Sequence, residues 1–106
     1  MILSHMHWDH VGGCKFFPHA TFVMQCAEYR FALWPDSAFS KPNVRDLFVG
    51  MSKLDLREGD GEVVSGIWVK ASPGHTPGHQ SVLVSLPKSG TILLACDAID
   101  TWPTSN

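Results

Sequence analysis

No stretch of this sequence concentrates positive charge. Its 8 Lys and Arg are outnumbered by 10 Asp and Glu, for a formal charge of −2. Without a basic patch to neutralise phosphates, nucleic acid is not an expected partner. Long apolar runs are missing too: the longest, such as Ile92-Leu93-Leu94-Ala95-Cys96, are far too short to span a bilayer, so no membrane partner is expected. No basic segment followed by an apolar core opens the chain, and no secretory leader is read there. The three cysteines, Cys14, Cys26 and Cys96, are odd in number and lack CxxC spacing. That argues against a disulfide framework and for free thiols in a reducing compartment, with a cytoplasmic location expected. Internal repeats and low-complexity segments are absent as well.

What is present suits a single globular unit. The chain has 106 residues, 44% of them hydrophobic and 17% charged, with 9 Gly and 7 Pro to mark turns. Residues 1–3 read as the tail of a strand. A short helix is predicted over 11–17, closed by Pro18, then a β-branched and aromatic strand over 21–24. Residues 27–34 are good helix formers stopped by Pro35. Residues 35–60 are broken by Pro35, Pro42, Gly50 and Gly59, and an excursion loop over the site is expected there. From residue 62 the pattern turns to β, with strands over 62–64, 67–70, 81–86 and 91–94, the last two joined by a tight connection at 87–90. The last two strands carry apolar residues on both faces, the pattern of strands covered on both sides.

Five of the six histidines fall in two clusters: His5, His7 and His10 in the run His5-Met6-His7-Trp8-Asp9-His10, then His75 and His79 in the turn-rich loop 72–79. Residues two apart in extended backbone point to the same side, so His5 and His7 can hold one ion together. Asp9 and His10, past the end of the strand, are free to address a second ion beside it. Gly12 and Gly13 would let the backbone pack closely against this loop. Imidazole and carboxylate donors suit zinc first, and also iron, manganese or cobalt. A lone histidine is usually a core or surface residue; three with an aspartate inside six residues, before Gly-Gly, read as a metal site.

The motif His5-x-His7-x-Asp9-His10, followed at a fitting distance by His75-Thr76-Pro77-Gly78-His79, resembles the signature of the metallo-β-lactamase superfamily. Within it, Gln25-Cys26-Ala27-Glu28-Tyr29, His75-Thr76-Pro77-Gly78-His79-Gln80-Ser81 and Asp97-Ala98 resemble the N-acyl-homoserine lactonase-like branch. The resemblance implies an α+β fold, the αββα sandwich. It also implies two divalent ions, zinc foremost. His5, His7 and His75 would hold the first, Asp9 and His10 the second, and Asp97 would bridge them. The implied activity is that of a metal-dependent hydrolase, in which a hydroxide held by the metals attacks the carbonyl of a small-molecule ester or lactone and Asp9 shuttles the proton. Alternatives are a glyoxalase II-like thioester hydrolase, a phosphoester hydrolase, or an inactive fragment of such an enzyme.

Full-length members are longer, so the resemblance makes residues 1–106 a partial domain, the middle part of the fold. The family's N-terminal half and C-terminal end, with a last histidine for the second metal, would be absent, and self-association is expected. Lactonases of this branch also carry a tyrosine three residues after the bridging aspartate, where this chain has Asp100. His79 reads as a residue bracing its loop instead of a ligand, His19 as a surface residue, and the cysteines as small buried fillers. Trp8 is a candidate for lining the substrate pocket.

Overall fold

The structure is a computed structural model describing residues 1–33, 51 and 53–99. Thr21–Gln25 forms β1, whose apolar centre is buried: Phe22 and Met24 are fully enclosed. Each such side chain is worth ~1.5–3 kcal/mol relative to exposure. Beside β1 runs Ile2, which forms an isolated parallel bridge to Val23; the Leu3 N–H donates to the Val23 carbonyl at 2.9 Å and the Val23 N–H to the Met1 carbonyl at 2.8 Å. This carries the chain into residues 4–7 alongside the core.

The helix predicted over 11–17 is not formed: an α-helical turn ends at Val11 and only a 3₁₀ turn follows within that range. α1 spans Trp8–Val11, and a 3₁₀ turn spans Cys14–Phe16. They are separated at Gly12, which sits tight under α1: a Cβ there would lie 2.9 Å from the Trp8 carbonyl oxygen. Among the described residues nothing lies within 4 Å of a Cβ at Gly13, so close packing accounts there for Gly12 only. α2 spans Cys26–Leu33, directly after β1.

The expected loop over 35–60 needs correction at its end. Lys53–Arg57 is a strand, β2, pairing in parallel with β1 from Thr21↔Lys53 to Gln25↔Arg57. Residues 34–50 lie outside the described residues. The second sheet is antiparallel, in the order β3 (Gly61–Val64), β4 (Ile67–Ala71), β5 (Gln80–Leu86) and β6 (Gly90–Leu94). These match the predicted strands within a residue at each end. Gly90, at φ 78°, makes the turn into β6 in a conformation that favours glycine.

The core gathers Leu3, Met6, Val11, Cys14, Phe22, Met24 and Met51, with Ala20, Tyr29, Ala32 and Leu54 packed on it. Met6 and Val11, within and just after the histidine motif, belong to this core and so anchor the motif to it. Of the cysteines, Cys14 is buried as expected, but Cys96 is exposed. No helix among the described residues is long and apolar enough to cross a membrane.

Candidate metal centre

The first four candidate residues share one turn of chain. His5 is fully buried at the end of the segment that follows the Ile2 bridge. His7 precedes α1 in extended backbone, and its carbonyl accepts the N–H groups of His10 and Val11 at 2.9 and 3.2 Å. Asp9 and His10 therefore lie past the strand, as expected, but on a helical turn that fixes where they point.

The partners arrive from the other sheet. β4 and β5 are joined by loop 72–79, which carries His75; β6 runs into a 3₁₀ turn, Cys96–Ala98, which carries Asp97. Cys96 takes φ 52°, a left-handed conformation unusual for a side-chain-bearing residue.

These elements converge on one point. Asp97 Oδ2 lies 2.9 Å from His10 Nε2, 3.3 Å from His5 Nε2 and 3.5 Å from His75 Nε2. His75 Nε2 is 3.2 Å from His7 Nδ1. Among the described residues, two groups have donor atoms within 4.8 Å of one another: His5, His7 and His75; and His5, His10 and Asp97. Asp9 stays at the edge, with Oδ2 3.6 Å from His10 Nε2. The structure thus brings five of the six predicted residues together and leaves Asp9 on the rim.

The donor set fits a divalent cation. Donors ~2.0–2.1 Å from a tetrahedral zinc stand roughly 3.3 Å apart, close to the spacings seen here. Beyond the Asp97 carboxylate at 3.3 Å, buried His5 Nε2 makes no hydrogen bond among the described residues, a costly condition for a polar atom unless something else takes its lone pair. Its other ring nitrogen, Nδ1, is 2.9 Å from Ser4 Oγ. With the proton on Nδ1 and donated to Ser4, Nε2 is left as a ligand atom. Burial first, and then the neighbouring His10, His7, His79 and His75, lower the pKa of His5 from 6.5 to about 4. Burial and His75 lower that of His7 as well. Both are therefore held neutral, the form that binds metal.

His79 is no ligand in this arrangement. The Asp97 N–H donates to His79 Nε2 at 3.2 Å, so the ring proton belongs on Nδ1, which donates to Ser72 Oγ at 2.8 Å. Ser72 Oγ is in turn 2.8 Å from Ser81 Oγ. His79 thus braces the backbone of Asp97 from inside the fold. His19 is exposed, Trp8 stands 62% exposed beside the motif, and Tyr29 packs on the core. Asp100 lies outside the described residues.

Among the buried polar residues, Gln25, Glu28 and Gln80 marked the resemblance in sequence, but their structural role was not read there. The Gln80 side-chain amide donates to the carbonyls of Leu3 and Val23 at 2.8 and 3.2 Å, and its backbone N–H donates to the Ser4 carbonyl at 2.9 Å. Gln25 donates to Gln80 Oε1 at 2.8 Å and exchanges hydrogen bonds with the backbone of Gly59. Together they staple the two sheets at the root of the motif. Glu28, on α2, is the third. No periodicity marks any of them, since isolated Gln and Glu read as solvent-facing residues.

Two sheets with a histidine-rich loop before a short helix, a second histidine loop and an aspartate after the last strand define the class. The chain belongs to the metallo-β-lactamase superfamily, whose family model matches residues 1–104. More particularly, it is 40% identical to the N-acyl homoserine lactonase AttM of Azorhizobium caulinodans, over 96% of this chain and 43% of that protein. It superposes on the crystal structure of a quorum-quenching N-acyl homoserine lactone lactonase with a TM-score of 0.76 at 35% identity, covering 91% of this chain and 38% of that one. It also matches an N-acyl homoserine lactone hydrolase with the product N-hexanoyl-L-homoserine bound at the catalytic metal center. There the TM-score is 0.73 at 35% identity, over 87% of this chain and 35% of that one. The chain spans about two fifths of the length of the curated relatives it matches, 43% and 37% for two of them.

Proposed function

We propose that this chain carries the metal centre of a hydrolase that opens the ring of N-acyl-homoserine lactones, and that the centre takes two divalent ions, zinc foremost. The observation that carries the reading is the convergence of His5, His7, His10 and His75 on Asp97 around the buried Nε2 of His5. The lactonases at 35–40% identity supply the substrate class. His5, His7 and His75 would hold one ion, Asp9 and His10 the other, and Asp97 would serve both. Bound there, divalent ions supply Lewis acidity, polarising a carbonyl and lowering the pKa of water toward ~7.

The chain's own residues do the rest. Ser4 orients His5, and His79 with Ser72 holds the Asp97 backbone, so the donors are set before any ion arrives. Asp9 is on the solvent side, with 57% of its side chain exposed. That position suits a carboxylate passing a proton from the attacking water to a leaving alkoxide. In this reading residues 1–106 are part of a larger domain.

The test couples metal content to a substrate panel. The purified protein should retain zinc, and His7→Ala should lower zinc affinity at least tenfold. A lactone should be preferred over a thioester and a phosphotriester. Unchanged zinc binding in His7→Ala would reject the ligand assignment. Thioester preference would move the activity to the glyoxalase II type, and zinc binding without turnover would leave only a metal-binding segment.

A further inference from the structure

We propose that Glu28 is a positioning residue whose buried carboxylate clamps the two ligand-bearing loops at a fixed separation, and so sets the metal affinity of the centre. The proposal deepens the metal-centre reading and rests on it. Glu28 is 1% exposed although it lies in the first turn of α2. Its Oε2 accepts two hydrogen bonds from opposite sides. One comes from the Met6 N–H at 3.4 Å, between His5 and His7 in sequence. The other comes from the Thr76 hydroxyl at 2.7 Å, next to His75. A single oxygen atom therefore joins the chain that carries two of the candidate ligands to the chain that carries the third.

The backbone around Glu28 is built for this contact. Gly78 presses on the start of α2 so closely that a Cβ there would overlap the Glu28 nitrogen and lie 2.5 Å from its Cα. Among the described residues, the second carboxylate oxygen, Oε1, is buried without a well-formed hydrogen bond, and the Gly78 backbone lies against the carboxyl group. Burying a carboxyl group this way is costly, and an apolar side chain could fill the space without that cost. What an apolar residue cannot do is accept both donors. His7 Nδ1 and His75 Nε2, one on each clamped loop, face each other at 3.2 Å, so a small shift of either loop changes the donor spacing directly. Groups that orient metal ligands through hydrogen bonds typically change metal affinity about 10–100-fold when removed.

The experiment measures zinc affinity by competition with a chromophoric chelator, together with the visible spectrum of the cobalt(II)-loaded protein and far-UV circular dichroism as a check of folding. Thr76→Val removes the donor and keeps the shape; Glu28→Ala removes the acceptor. Each should weaken zinc about 10–100-fold and alter the cobalt spectrum, and the double variant should be no weaker than the worse single variant. Thr76→Ser and Glu28→Gln keep the hydrogen bonds and should bind within a few-fold of the parent. A folded Thr76→Val with parental affinity and spectrum would overturn the clamp. So would a Thr76→Ser and Glu28→Gln pair as weak as the disruptive variants, because packing alone would then explain the loss. His7→Ala separates the two levels. If the parent binds no zinc, or His7→Ala is indifferent, the metal-centre reading falls and the clamp with it. If His7 matters but the clamp variants do not, only the clamp falls.

Discussion

His5 combines full burial with four neighbouring imidazoles. Burial first, and then the neighbouring imidazoles, disfavour a proton on the ring, which is why its pKa falls to about 4. The consequence for stability has a definite sign. The unfolded chain takes up this proton near pH 6.5 and the folded chain only near 4. Stability from a neutral His5 is therefore full above pH 6.5 and is lost as the pH falls toward 4. At pH 5 the loss is about 2 kcal/mol from this residue, and burial pushes His79 the same way. Urea unfolding of the metal-free protein should show a clearly lower midpoint at pH 5 than at pH 7.5, with the gap reduced in His5→Gln. Equal midpoints in the parent would contradict the burial of a neutral His5.

Among the elements, two turns aim the site. The 3₁₀ turn after β6 presents Asp97 only because Cys96 accepts a left-handed backbone at φ 52°. For a residue with a Cβ this costs roughly 1–2 kcal/mol. Cys96→Gly should be neutral or slightly stabilising, since relief of strain is partly offset by the entropy glycine loses on folding. Cys96→Val should destabilise by about 1 kcal/mol or more, because a β-branched residue tolerates this region worst. Thermal melts of the two variants decide, and a Val variant as stable as the Gly variant would refute the strain. Loop 72–79 depends on Gly78 in a different way. Its closeness to the α2 backbone leaves no room for a methyl group, and overpacking of this kind costs about 1–3 kcal/mol. Gly78→Ala should lower stability by that amount and weaken zinc binding, because the loop that carries His75 must back away. A Gly78→Ala protein with parental melting and zinc affinity would show that the contact is not required.

At the scale of the whole molecule, the second sheet is open where its sequence is most apolar. Ile92, Leu93 and Leu94 of β6 are 43%, 53% and 49% exposed, and Trp68 of β4 is 45% exposed. The register sets Trp68, Leu83 and Leu93 side by side on one face, with Val84 beside Ile92 and Val82 beside Leu94 on the other. Soluble monomers rarely leave such surfaces uncovered. The 106 residues on their own should therefore self-associate, and Leu93→Glu should shift the population toward monomer. The second donor group, with Asp9 on its rim, should also fill less readily, leaving zinc closer to one per chain than two. Size-exclusion chromatography with metal quantitation checks both. A parental monomer at every concentration, holding two zinc ions, would overturn this picture.

The candidate donor residues were legible because residue types able to hold a metal leave a local trace when they cluster. His5, His7, Asp9 and His10 are close in sequence, and short turns of backbone set where such neighbours can point. The four antiparallel strands were legible for the same reason, through β-rich runs joined by short turns, and the family resemblance carried His75 and Asp97. The parallel strand β2 was missed, although Lys53-Leu54-Asp55-Leu56-Arg57 alternates apolar and polar residues. Its partner β1 is distant in sequence, and Pro and Gly on either side made the region read as loop. Asp9 at the rim, Cys96 in its strained turn, and the buried Gln25, Gln80 and Glu28 were decided by tertiary structure alone. A hydrogen bond such as that from Thr76 to Glu28, 48 residues away, is favourable only once the fold has excluded water from both partners. No local pattern can encode that exclusion, because it comes from the packing of the sheets and helices around them.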